Sequence, residues 1–158
     1  AMVRLADLTD GERDFLLGKL KELTGFEGHP WVTGPRLNKR RVAIITTSGI
    51  HRVGDHPFAD GAAASDYRVI PGSVRADQMV MSHLSTNFDR SGFQQDINVV
   101  FPIDRLKELA VEGAIGEVAD YHYSFMGAAP VRSLEPKARQ LAGLLKKDRV
   151  DAVLLTPV

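Results

Sequence analysis

A chain of 158 residues with twenty basic and twenty acidic side chains can bury one hydrophobic core and carries no net charge, so its balance argues against a nucleic-acid or anionic-membrane surface. There is no cysteine, which excludes disulfides, thiolate metal sites and a cysteine nucleophile within these residues. No apolar run reaches the roughly 18 residues of a membrane span and no signal peptide opens the chain, so the cytoplasm is the expected compartment. Along the chain, Thr9-Asp10-Gly11-Glu12 has capping-box spacing, and Phe15, Leu16, Leu20 and Leu23 recur at helical intervals until Gly25. Residues 1–40 read as this helix and a turn-rich linker whose lone tryptophan, Trp31, serves as a packing anchor. The basic run Arg36, Lys39, Arg40 and Arg41 reads as a solvated lead-in to the first strand.

Residues 41–158 read as one α/β domain. Arg41 to Thr47 is the first strand, and Ser48-Gly49 turns the chain at its end. Gly54 to Asp66 is a long loop, Tyr67 to Ile70 a short strand, and Arg75 to His83 is ambiguous between strand and helix. A polar loop from Ser85 to Gln95 follows. Ile97 to Phe101 is either a strand or the lead-in to a helix near Pro102 that ends at Gly113. Tyr121 to Met126 reads as a strand. The last helix is expected to start at Ser133 with Pro136 in its first turn, and Ala138, Leu141, Ala142 and Leu145 form its stripe. Val150 to Thr156 is nearly continuous in apolar character, the pattern of a parallel strand buried on both faces. The predicted architecture is a single three-layer α/β domain with a mainly parallel, Rossmann-like or flavodoxin-like sheet, expected to be incomplete at its C-terminus.

The carboxyl ends of such strands carry the ligand site. Thr46-Thr47-Ser48-Gly49-Ile50-His51 offers three hydroxyls and a glycine there, either as donors to an anion such as a carboxylate or as a turn that satisfies its own backbone. His122-Tyr123-Ser124 puts an imidazole beside two hydroxyls before Gly127, and His122 reads either as a general acid or as a histidine hydrogen-bonded under a loop. Asp89-Arg90 and Asp96 read as substrate-orienting groups or helix caps. His51, Asp55 and His56 match no strong metal signature, and no metal is expected. A Ser48-His51-Asp55 triad can be written but lacks the nucleophile elbow and is discounted.

Taken in order, Val42 to His51, Arg68-Val69-Ile70-Pro71, Ser82-His83, Asp96 to Pro102, Gly113-Ala114-Ile115-Gly116, His122 to Gly127 and Asp151 to Val158 resemble the selenoprotein B family of glycine, sarcosine, betaine and D-proline reductases. The likeness runs from about Arg41 to Val158. It implies reductive cleavage of a C–N bond in a small amine or amino-acid substrate, with a thiol reductant and, in several members, a pyruvoyl group on a partner subunit. It also implies a selenocysteine nucleophile soon after Val158, so the chain is expected to be an amino-terminal portion ended at a selenocysteine codon, with no cofactor of its own. By motif match, Thr46, Thr47, Ser48, Gly49, His51, Asp96 and Ser124 are expected to bind substrate or line the pocket. His122 and Tyr123 are expected to face the same crevice as catalytic groups. A homo-oligomer is expected to cover an open sheet edge. The alternatives are a non-catalytic α/β ligand-binding or subunit-interaction module and a metal hydrolase using His51, His56 and His122.

Overall fold

Arg41–Thr46, short and rich in β-branched residues, forms strand β1, and in a computed structural model of the chain this strand has neighbours on both sides. The structure describes residues 4–22, 28, 32–58, 61–84 and 90–158. The features read at Ala1-Met2, Leu23, Gly25, His29, Trp31 and Asp89 lie outside the described residues. The chain divides into a unit of residues 1–33 and a unit of residues 34–158. In the first, helix α1 (Asp10–Glu22) starts on the expected capping box. The Glu12 carboxylate accepts from Thr9 N at 3.1 Å, and Thr9 Oγ1 accepts from Glu12 N at 3.4 Å.

In the second unit β1 is followed by β2 (Ile50–Arg52), β3 (Tyr67–Pro71), β4 (Met79–Met81), α2 (Ser91–Gln95), α3 (Ile103–Val111), β5 (Glu117–Val118), β6 (Tyr121–Phe125), α4 (Val131–Lys147) and β7 (Ala152–Thr156). β1 pairs in parallel with β7 from Val42–Ala152 to Thr46–Thr156. On its other side it pairs in parallel first with β5 and then with β6. β3 adds to β6 in the antiparallel sense, with Tyr67 opposite Phe125, and β2 and β4 form a separate antiparallel ribbon. The main sheet is therefore mixed: β1 pairs in parallel with three strands, and the antiparallel β3 departs from the Rossmann-like or flavodoxin-like expectation. Between β1 and β3 the described residues hold the short strand β2 and a single turn at Gly61–Ala63 in place of a helical crossover, and β3 joins the edge running the opposite way. The ambiguous segment resolves as a turn at Ala76–Gln78 followed by β4, and Ile97–Val99 is a helical turn leading into α3.

Side chains alternate across β1, and each face takes a helix. Val42 and Ile44 pack with Ile103 and Leu106 of α3 and with Ile50, Ile70, Val100 and Phe101. Ile45 faces the other way, toward Tyr123, Phe125 and the α4 residues Leu141, Leu144 and Leu145. α4 begins two residues earlier than the sequence predicts, because Pro130 takes the cap position and its carbonyl accepts from Ser133 Oγ at 2.6 Å. Pro136 consequently lies inside the helix and not in its first turn.

β7 departs from expectation as well. Its one neighbour in the sheet is β1, and Val153, Leu154 and Leu155 remain 37%, 40% and 69% exposed. The apolar run that reads as a strand buried on both faces is an edge strand among the described residues. No helix there is long and apolar enough to cross a membrane.

The amino ends of the parallel strands are tied by one cation. Arg41, far from being a solvated lead-in, is 6% exposed. Its guanidinium meets Asp148 at 2.5 Å, Asp120 at 2.9 Å and Glu117 at 2.9 Å. Its backbone N donates to Asp151 Oδ2 at 3.1 Å. Burial works against the charge, but Asp148 and Asp120 more than offset it and hold the guanidinium above its ordinary pKa. One residue thus joins the start of β1, the bend around Asp120, the end of α4 and the entry to β7. Arg41→Met would strand the buried Asp148 carboxylate, and denaturant unfolding is expected to show a loss of about 3–5 kcal/mol.

Candidate functional site

Thr46 ends β1 and pairs in register with Ser124 of β6 on one side and Thr156 of β7 on the other. Residues paired in register project to the same face. Three hydroxyls therefore stand in one row across the carboxyl ends of three parallel strands, where α/β sheets hold their ligands. Thr46 Oγ1 donates to Ser48 Oγ at 3.0 Å and accepts from Ser48 N at 3.2 Å. Ser124 Oγ and Thr156 Oγ1 are buried with no hydrogen-bond partner among the described residues. Each such group carries a desolvation cost of about 1–3 kcal/mol, which a polar group brought to the lip relieves.

Backbone contacts lace the three ends together. Thr47 N donates to Thr156 O at 3.1 Å, and Thr47 Oγ1 accepts from Val158 N at 2.9 Å. Gly49 N donates to Phe125 O at 2.8 Å, while Gly49 O accepts from Ser82 N at 3.0 Å. Gly127 has φ +81°, and a Cβ there would lie 2.5 Å from Thr47 Cβ and 2.9 Å from Thr47 O. Only glycine lets the chain leaving β6 pass this close to the loop after β1. His83 is buried behind the same loop, bonded to the Thr47 backbone, and Arg90 donates to the His83 carbonyl. Burial, with the nearby Arg90 cation, pushes the His83 imidazole below its ordinary pKa against that bond to Thr47.

The structure thus brings Thr46, Thr47, Ser48, Gly49 and Ser124 of the predicted set to one lip. His122 and Tyr123 are not on one crevice, because consecutive strand residues point to opposite faces. His122 sits edge-on to Phe101, with ring centroids 5.5 Å apart, and Tyr123 lies on the α4 face edge-on to Tyr67 at 5.8 Å. Burial pushes the Tyr123 hydroxyl up to about 12. His122 fills a gap in the ladder. Ala119 N donates to Val42 O, the strand then breaks between β5 and β6, and Ile44 N donates to His122 Nδ1 at 2.9 Å. This fixes the proton on Nε2, which is buried without a partner among the described residues. Burial lowers this imidazole to about 4.

Asp96 is exposed and caps the turn before α3, its Oδ1 accepting from Asn98 N at 2.9 Å. That bond to Asn98 holds its carboxyl below the ordinary value. His51 lies in β2 with its Nε2 2.7 Å from Ser82 Oγ and its Nδ1 2.9 Å from Arg52 O. Among the described residues no three His, Cys, Asp or Glu side chains are grouped to hold a metal, and His51, His56 and His122 are not brought together. Ser82, His83, Gly127 and Thr156 were not assigned to the site from sequence. Of these, Thr156 and Gly127 carried a signal, each standing where a strand gives way to a proline or glycine.

Two outcomes follow from this geometry. An unfolded chain protonates His122 near its ordinary 6.5 whereas the fold resists protonation down to about 4. The contribution is therefore complete above about pH 6.5 and is lost as pH falls toward 4, on the order of 3 kcal/mol. Unfolding free energies measured across this window should show that slope, and His122→Gln, which can still accept from Ile44 N, should flatten it. Gly127→Ala is expected to cost about 2 kcal/mol or more, read as a lowered denaturant midpoint.

A family model described as glycine/sarcosine/betaine reductase selenoprotein B matches residues 29–158. D-proline reductase subunit gamma of Acetoanaerobium sticklandii is 37% identical over 122 residues, covering 76% of this chain and 49% of that protein. Glycine reductase complex component B subunit gamma of Symbiobacterium thermophilum is 32% identical over 123 residues, covering 76% of this chain and 29% of that protein. Betaine reductase complex component B subunit beta of Peptoclostridium acidaminophilum is 30% identical over 123 residues, with 76% and 28% covered. The chain spans about half the length of the first of these relatives and less than a third of the other two. No solved structure matches it. On a match that runs from the linker through every strand of the sheet, the chain belongs to the glycine/sarcosine/betaine reductase selenoprotein B family.

Proposed function

We propose that this chain is the amino-terminal α/β platform of a selenocysteine-dependent reductase that cleaves the C–N bond of an amino acid or related amine. The observation that carries the reading is the hydroxyl row Ser124–Thr46–Thr156 at the ends of three parallel strands, in a chain of this family. The curated relatives are named as components of D-proline, glycine and betaine reductases, which supports a small amine or amino acid as substrate and partner subunits in a complex.

A selenocysteine following the segment that ends at Val158 would supply a nucleophile ionised at neutral pH, where a free thiol mostly is not. The residues at the lip fit such a group. Thr47 Oγ1 accepts from the amide of Val158 and so holds the segment after β7 beside the loop after β1. Ser48, Ser124 and Thr156 offer hydroxyl donors to an anion or to a substrate carboxylate, and Gly49 and Gly127 keep the backbone close. His122 acts in this reading as a positioning residue: its neutral imidazole fixes the register that aligns Thr46 with Ser124. Tyr123 supports the same strand from the opposite face, and Asp96 sets the turn into α3. The net change requires two electrons and two protons from a dithiol, and a pyruvoyl group on a partner subunit would activate the amine.

A second reading, a subunit-interaction module, draws on the exposed apolar residues Val153, Leu154 and Leu155 of β7, where a second copy or a partner subunit would dock. The gene beyond the Val158 codon separates the two. An in-frame UGA followed by coding sequence, and amine-dependent dithiothreitol oxidation by the longer product but not by this chain, is the expected result. An ordinary stop codon, or full turnover by this chain alone, would remove the reductase-fragment reading.

A further inference from the structure

The sequence allowed a triad of Ser48, His51 and Asp55, and the fold replaces its first member. Ser48 is engaged by Thr46 at the lip, while His51 Nε2 meets Ser82 Oγ at 2.7 Å across the β2–β4 ribbon. On the far side of the ring, His51 Nδ1 is 2.9 Å from Arg52 O. A carbonyl can only accept, so Nδ1 carries the proton and Nε2 is left as the acceptor for the Ser82 hydroxyl. The Arg52 carbonyl is itself fixed, since it also accepts from Asp55 N at 3.1 Å in a turn that Gly54 closes with φ +89°.

The remaining surroundings suit a base. His51 is 5% exposed as a residue, and its ring lies edge-on to Phe58 with centroids 6.4 Å apart. Ser82 is only half-buried and is held by its own N–H to Gly49 O at 3.0 Å. Asp55 closes the same turn, its carboxylate paired with the Arg52 guanidinium at 3.0 Å and accepting from Arg52 N at 3.2 Å, so the residue that carries the orienting carbonyl is held at three points. A hydroxyl bonded to an imidazole, with that imidazole oriented by a third group, is the arrangement that activates a serine nucleophile.

We propose that Ser82 is a base-activated hydroxyl with His51 as its base, and that the pair performs acyl transfer from small activated esters to water. In the first step a bond forms from Ser82 Oγ to the acyl carbon as the hydroxyl proton passes to His51 Nε2, and the bond to the alkoxide or phenolate breaks with that oxygen taking the electron pair and the proton from Nε2, so that His51 is again neutral. In the second, His51 Nε2 takes a proton from water, the hydroxide attacks the acyl carbon, and Ser82 Oγ leaves and recovers its proton. No oxidant or reductant is involved, so the activity stands or falls independently of the reductase reading.

The test uses this chain as it is, with diisopropyl fluorophosphate and p-nitrophenyl acetate as probes. Intact mass spectrometry is expected to show one diisopropylphosphoryl group per chain, mapped to Ser82, with fluoride released. Ser82→Ala should abolish that label, and His51→Gln should slow it by about a hundredfold, the order a general base contributes. p-Nitrophenol release should show a burst of about one equivalent, lost in both variants, with circular dichroism confirming that they remain folded. Absence of label on Ser82 in the unmodified chain, a result that depends on no variant, would overturn the assignment, as would equal labelling rates in the unmodified chain and the folded His51→Gln variant.

Discussion

The amide of Ile44 points into the gap between β5 and β6, and the His122 imidazole accepts its proton where a backbone carbonyl would otherwise stand. A buried amide at the centre of a sheet must be paired, and here the pairing comes from a side chain of the neighbouring strand. That substitution lets the strand bend after Ala119 and resume at Tyr121 without losing its parallel partner. The register on the far side of the bend puts Ser124 beside Thr46. Had the chain slipped by one residue, Tyr123 would lie at that position and the hydroxyl row would not exist.

Two further constraints hold this register at opposite ends of β1. At the amino end Arg41 gathers Asp148, Asp120 and Glu117, so the bend, the end of α4 and the entry to β7 are tied to one side chain. At the carboxyl end Gly127 lets the chain leaving β6 run against Thr47, which in turn holds Val158. The lip is therefore laced by backbone contacts, with its hydroxyls buried and two of them, Ser124 Oγ and Thr156 Oγ1, without a partner among the described residues. Preorganised donors at a strand end are what a reaction that develops or transfers negative charge requires. In the proposed function, that is what would link this architecture to reductase chemistry.

The ribbon of β2 and β4 adds a different kind of order. It is antiparallel, stands apart from the main sheet, and brings Ser82 against His51, residues 31 positions apart. Gly49 connects the two regions, donating to the end of β6 and accepting from Ser82.

Much of this was legible in the residues themselves. The β-branched run at Val42–Ile45, the box at Thr9–Glu12, the stripe of α4 and the ordered motifs determined the α/β class, the helices α1, α3 and α4 and the family, because they rest on local periodicity and on matched residue identities, whereas α2 falls in a stretch that reads as a polar loop. The turn Thr47–Gly49 at the end of β1 was legible for the same reason. The antiparallel placement of β3, the exposure of β7, the burial of Arg41 and the pairing of Ser82 with His51 were not, since each depends on which distant segment arrives alongside. Nor was the separation of His122 from Tyr123, which depended on a strand whose length and bend only the neighbouring β1 could set. Local pattern determines what a segment will be; tertiary structure alone decided which face each side chain meets, because facing is a property of the pair and not of either strand.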